Sequence, residues 1–165
     1  MSPESKFRAL ANASALQRIR TLAHLLDNAI PIPGTPYRFG LDPIMGMIPG
    51  GGDVVGLFLS AYLVLESLRF RLPTQTLLRM VGNLALDGIL GLLPGMGDLF
   101  DAVWKSNARN LALLEAHLAN PGESEAADRQ TVALIAIAVV AIVGGIALLM
   151  ASLLNALLVA LGLLG

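Results

Sequence analysis

The sequence predicts an all-α integral membrane protein with two tandem helix-turn-helix repeats and a C-terminal transmembrane segment. Three observations predict it. The stretch from Thr131 to Leu164 holds 34 residues without one charge, longer than the roughly 20 apolar residues a spanning helix needs. Charged residues make up only 14% of the chain and apolar residues 55%, where soluble domains carry about 25% charged. The mean hydropathy is +0.71. Finally, the phrase from Leu41 to Asp53, LDPIMGMIPGGGD, returns from Leu86 to Asp98 as LDGILGLLPGMGD, with eight of thirteen positions identical. Gly, Pro and Asp in register mark one backbone device used twice.

The elements follow in order. Residues 1–27 read as an amphipathic helix, with Phe7, Leu10, Ala11, Ala15, Ile19, Leu22 and Leu26 at helical spacing. Lys6, Arg8, Arg18 and Arg20 give it a basic side, which suits an anionic leaflet as well as a solvated face. It is not a secretory signal, because no apolar core follows Lys6 and Arg8. Pro31, Pro33, Gly34 and Pro36 then forbid a helix, so residues 1–40 form an amphipathic helix and a Pro-rich connector.

Residues 41–118 form the repeat core. Asp42-Pro43 reads as an N-cap before a short helix to Ile48. Pro49 to Gly52 breaks it, and Asp53 caps a helix from Val54 to about Phe70. That helix is uncharged over residues 54–65 and about 25 Å long, close to the hydrocarbon thickness. Pro73 ends it. A return runs from Thr74 to Leu93, the second turn from Pro94 to Asp98, and an amphipathic helix from Leu99 to Leu118. Residues 119–130 are a polar linker. Residues 131–165 are the transmembrane segment. At roughly 50 Å as one helix, it exceeds a bilayer core. It must bend back near Gly144-Gly145 or Ser152 to Asn155, tilt strongly, or protrude into a partner.

Basic residues cluster at 6–20, 69–79, 105–109 and 129. If each repeat enters the membrane and returns, all of them lie on one side. The positive-inside rule makes that side cytoplasmic.

Several chemistries are excluded or disfavoured. Eleven basic residues nearly balance twelve acidic ones, so no nucleic-acid partner is expected. There is no cysteine, hence no disulfide or thiolate chemistry. No Gly-Lys-Ser/Thr follows the glycine-rich turns, so they are not phosphate loops. His24 and His117 do not form a zinc-binding pair. Ser60, Ser67 and Ser106 sit in no nucleophile elbow. Trp104, Tyr37 and Tyr62 read as packing or interface anchors. No cofactor is expected.

The candidate site residues are Asp42, Asp53, Asp87, Asp98, Asn83 and Asp101. Helix capping is the competing account of Asp42, Asp53, Asp87 and Asp98, and it is stronger for Asp42 and Asp53 than for Asp87. Asp87 stands in the apolar run Leu84 to Leu90, where a carboxylate in lipid costs several kcal/mol without a cap, partner, water or ion. Asn83 lies one turn before it. Asp98 and Asp101 lie one turn apart, and Lys105 is placed to pair with Asp101. Carboxylates beside bare carbonyls of broken helices suit a hard cation or a proton path. The metal is unspecified.

Together these residues carry a resemblance. Asp27-Asn28, Ile32 to Thr35, Phe39 to Asp42, the Pro49 to Asp53 turn, Met80, Asn83, Leu86-Asp87, Pro94 to Asp98, Phe100-Asp101 and Asn107-x-x-Asn110-Leu111 resemble the bacterial family known as domain of unknown function 4112. The likeness covers about residues 20–118. It implies a small, membrane-associated helical protein and supplies no catalytic residues.

The expected function is a small oligomeric membrane protein without catalytic activity. Its sharpest form binds or conducts a cation at the repeat turns. The alternative is a membrane scaffold with no transport role, and a membrane-embedded hydrolase is the least favoured reading. Expected partners are the lipid bilayer and further copies of the chain.

Overall fold

Ala15, Ile19, Ala23 and Leu26 recur every three or four residues, one stripe along a helix. In the computed structural model that stripe is the buried face of α1 (Pro3–Asn28). The structure describes residues 3–35, 38–41, 52–92, 104–121 and 125–163. Phe7 and Leu10, expected on the same apolar face, are 75% and 70% exposed. None of the described side chains of residues 4–14 is buried, so three turns of α1 stand clear of the body.

The Pro-rich connector is ordered by a two-residue antiparallel pair, β1 (Ile30–Pro31) with β2 (Arg38–Phe39). Prolines tolerate this because an edge pair needs few N–H donors. The connector is tied to the end of α1 twice. Arg38 Nε donates to the Asn28 carbonyl at 2.9 Å, and the Leu41 N–H donates to the Leu25 carbonyl at 2.9 Å. Gly40 makes the approach possible: a Cβ there would fall on the Leu26 carbonyl and 2.6 Å from the Asp27 Cα.

The next helix, α2 (Gly52–Ser67), runs into a 3-10 turn, Leu68–Phe70. Asp53, expected to stand ahead of this helix as its cap, lies inside its first turn, and its side chain is outside the described residues. Leu57, Ser60, Ala61, Leu63, Val64 and Ser67 are all buried and lie on one face, an arc of about 160°. That face meets α1, α3 and α5. Val55, Phe58 and Tyr62 alone are its large exposed apolar side chains.

Arg71 takes a left-handed conformation, φ 55°, and Pro73 immediately precedes α3 (Thr74–Leu90). Leu77, Met80 and Leu84 are its core residues. Gly88 lets three helices meet: a Cβ there would lie 2.6 Å from Ile146 Cδ1 and 3.0 Å from Leu57 Cδ1. Gly82 has no such task. It is exposed, inside the helix, with nothing within 4 Å of an added Cβ. Gly82→Ala is expected to stabilise the chain by roughly 0.5–1 kcal/mol, read by denaturant unfolding in micelles. A loss of stability would contradict the open environment assigned to it.

The expected continuous helix over 99–118 is interrupted. Lys105 is left-handed, φ 48°, and α4 begins after it (Ser106–Ala119). Residues 99–103, the short helix expected at 43–48 and the turn at 94–98 lie outside the described residues.

The uncharged tail is a single helix, α5 (Arg129–Ala160), capped by Asp128, whose carboxylate accepts the Thr131 N–H at 2.6 Å. That bond holds the Asp128 carboxyl below its ordinary value. Neither Gly144-Gly145 nor Ser152 to Asn155 bends it back. Ile135, Val139, Val143 and Ile146 pack it on α2 and α3. Its start is fixed by the Ala127 N–H donating to the Leu72 carbonyl at 3.0 Å. The α2–α3 hairpin is thus the centre of an all-α fold. Helices α1 and α4 pack together and cover it, and α5 lies on it separately.

Candidate functional site

A polar seam joins α1, α3 and α4 inside the bundle. It starts where α1 ends against the first turn of α4. Helix N-termini leave N–H groups without intrahelical partners. Here Asp27 satisfies them from another helix: Oδ2 accepts the Ala108 N–H at 2.7 Å, and Oδ1 accepts from Asn107 Nδ2 at 2.9 Å. Beside it Lys105 Nζ donates to Asn28 Oδ1 at 2.6 Å. The left-handed Lys105 is the residue that stops the chain before α4.

Asp27 is 6% exposed. Burial raises its pKa, because the charged form loses water. The Ala108 and Asn107 hydrogen bonds and the positive charge of Lys105 oppose that rise. One turn along α4, Asn110 links to α3. Its Nδ2 donates to the Met80 carbonyl at 3.3 Å, and its Oδ1 accepts from Asn83 Nδ2 at 2.8 Å. Asn107, Asn110 and Leu114 share one face and are 0%, 1% and 0% exposed. These bonds tie α1, α3 and α4 together, while the buried Asn107 Oδ1 has no partner among the described residues.

Outside the seam, charge is used in pairs. Arg18 bonds Glu66, which also meets Arg69 at 3.3 Å, and Arg20 pairs with Glu115 at 2.7 Å. Arg109 lies over the Trp104 ring, 4.0 Å from its centroid, a cation–π contact.

The sequence-derived candidates fare unequally. Asp42, Asp98 and Asp101 lie outside the described residues, as does the Asp53 side chain. Asp87 is half-buried on α3, one residue from the close contact at Gly88. Asn83, expected as an ion ligand, donates its amide to Asn110 and so joins two helices. Lys105, expected on Asp101, bonds Asn28. Among the described residues no three His, Cys, Asp or Glu side chains group as metal ligands.

Spacing reasoning passed over Asp27, Asn28, Asn107 and Asn110 as a site. The signal was present: Asn107, Asn110 and Leu114 follow i, i+3, i+7, so two carboxamides share a face with a core leucine.

Comparison with known proteins returns a family and little else. No curated protein and no solved structure matches the chain. The family model for the domain of unknown function DUF4112 matches residues 15–118. That span begins at Ala15, the first buried residue of α1, and ends in the last turn of α4, so it contains the whole polar seam and omits α5. The chain belongs to the DUF4112 family.

Proposed function

We propose that this protein is a non-enzymatic membrane scaffold, a charged helical body fixed to the bilayer by α5. The observation that carries the reading is α5 itself. Its 32 residues have a mean hydropathy of 3.0 in the most apolar window, and only 22% of that window is buried within the chain. A soluble core helix of this composition would be mostly covered. Leu134, Ile137, Val140, Leu148 and Leu153 are instead more than half exposed. Lipid is the environment that accepts them. The opposite wall has other needs. Arg20, Glu115 and Arg109 are charged and face outward from α1 and α4, which favours water or headgroups there.

Arg69, Arg71 and Arg129 are exposed at the end where α5 begins. By the positive-inside rule that end faces the cytoplasm of a bacterial inner membrane. Asp87 carries the competing cation reading, since it sits on α3 beside the α5 contact. One reconstitution separates the two. The full chain is expected to stay in the pellet of alkaline-washed vesicles and to leave their cation permeability unchanged, for both wild type and Asp87→Asn. Release by alkaline wash sinks the membrane reading. A cation flux that Asp87→Asn abolishes sinks the scaffold in favour of the conducting form.

A further inference from the structure

We infer that α5 is a docking surface for α5 of a second copy of this chain, paired along the face turned away from its own body. The inference rests on the membrane-anchored reading above and adds the partner. Ile135, Val139, Val143 and Ile146 mark the face that α2 and α3 cover. At about 100° per residue, positions two residues on from Val139 and Val143 lie nearly opposite. They begin a line of Ala141, Gly145, Leu148, Ser152, Asn155 and Val159, spaced alternately by four and three residues, and all six are exposed. A repeat of 3.5 residues is the seam of a left-handed helix pair. This line runs past the last buried residue, so a second helix can follow it without displacing the body.

Length and chemistry say what covers it. Thr131 to Ala160, the uncharged part of α5, is about 45 Å long, against a hydrocarbon core of roughly 30 Å. Fitting it by tilt alone requires more than the 40° that marks the upper range for spanning helices. Some of its apolar length therefore needs cover other than lipid. Asn155 then chooses the cover. It sits inside the helix, exposed, five residues before the final helical residue, so it caps nothing. No hydrogen bond within the chain engages its carboxamide among the described residues. Ser152, by contrast, satisfies itself on the Leu148 carbonyl at 2.8 Å. A carboxamide both donates and accepts. The same residue on a parallel copy is its complement, as in helix pairs whose register a seam asparagine fixes. Gly144 and Gly145 leave open space beside the seam, which lets two backbones approach. With no charge along the segment, nothing repels the second copy.

The chain has no cysteine, so single-cysteine variants of the full protein report the face directly. Under oxidation in detergent micelles and in phosphatidylcholine vesicles, Leu148→Cys and Ser152→Cys are expected to give disulfide dimers. Leu157→Cys lies in line with Val139, is 55% exposed and is expected to remain monomeric. Asn155→Leu is expected to weaken association about five- to thirty-fold, read by dilution in micelles. Cross-linking at Leu157→Cys equal to the other two, none at any position, or unchanged association in Asn155→Leu overturns the pairing. If the protein washes off vesicles yet cross-links in micelles, only the anchor reading fails. If it stays in vesicles without cross-linking, only the pairing fails.

Discussion

Asp27→Leu is expected to cost about 3–5 kcal/mol, a large fraction of the stability of a domain this size. The substitution removes the acceptor for the Ala108 N–H and for Asn107 Nδ2 while both stay inside the bundle. The loss is large because the abandoned donors, at the first turn of α4, have no water to turn to. Asp27→Asn keeps one acceptor oxygen and is expected to lose less. Denaturant unfolding of the three proteins in the same micelle checks the order. A leucine variant within about 1 kcal/mol of wild type would show that the α1–α4 junction does not depend on this clamp.

The same carboxyl sets a pH dependence. Its folded pKa lies above its ordinary value of 3.8, chiefly because it is buried. In the window above 3.8 the folded state therefore holds more proton than the unfolded chain. Its contribution is complete below 3.8, falls as pH rises through that window, and is constant above the folded pKa. Asp27→Asn is expected to flatten that part of the stability profile. A slope that survives the substitution belongs to another group.

Gly40→Ala is expected to cost about 3 kcal/mol or more. The new methyl group would land on the backbone of Leu26 and Asp27, and backbone cannot step aside as a side chain can. The connector must move off α1, giving up the Leu41 N–H bond to the Leu25 carbonyl. Unfolding measurements on this variant and on Gly82→Ala make a matched pair, one glycine crowded and one open. A Gly40→Ala protein as stable as its parent would mean the connector is free to shift.

Helical periodicity located α1 and α3 closely, because a stripe such as Ala15, Ile19, Ala23 and Leu26 depends only on residues adjacent in sequence. The apolar tail was legible for the same reason, and its continuity through Gly144-Gly145 was not, since glycine permits either a bend or open surface. Composition could not say which of residues 54–65 face the core, because lipid and core both select uncharged side chains; Leu63 and Val64 are buried, and Val55, Phe58 and Tyr62 are exposed. The seam was least legible. Asp27 and Ala108 are 81 residues apart, and nothing local in either segment names the other. The link from Asn83 to Asn110 was hidden for the same reason, the partner being 27 residues downstream. The break before α4 escaped notice because a left-handed lysine has no sequence signature of the kind that glycine has.

That separation also orders events during synthesis. The α2–α3 hairpin closes over a short connector, so its contacts can form as soon as it leaves the ribosome. Helix α1 cannot: the groups that hold its end are made some 80 residues later. At 5–20 residues per second that is roughly 4–16 s, during which the apolar stripe of α1 lacks the α4 part of its cover. Once folded, opening either α1 or α4 strips the other of its Asp27 hydrogen bonds. The hairpin is held from its other side by α5, whose start is tied to it through the Leu72 and Ala127 bond.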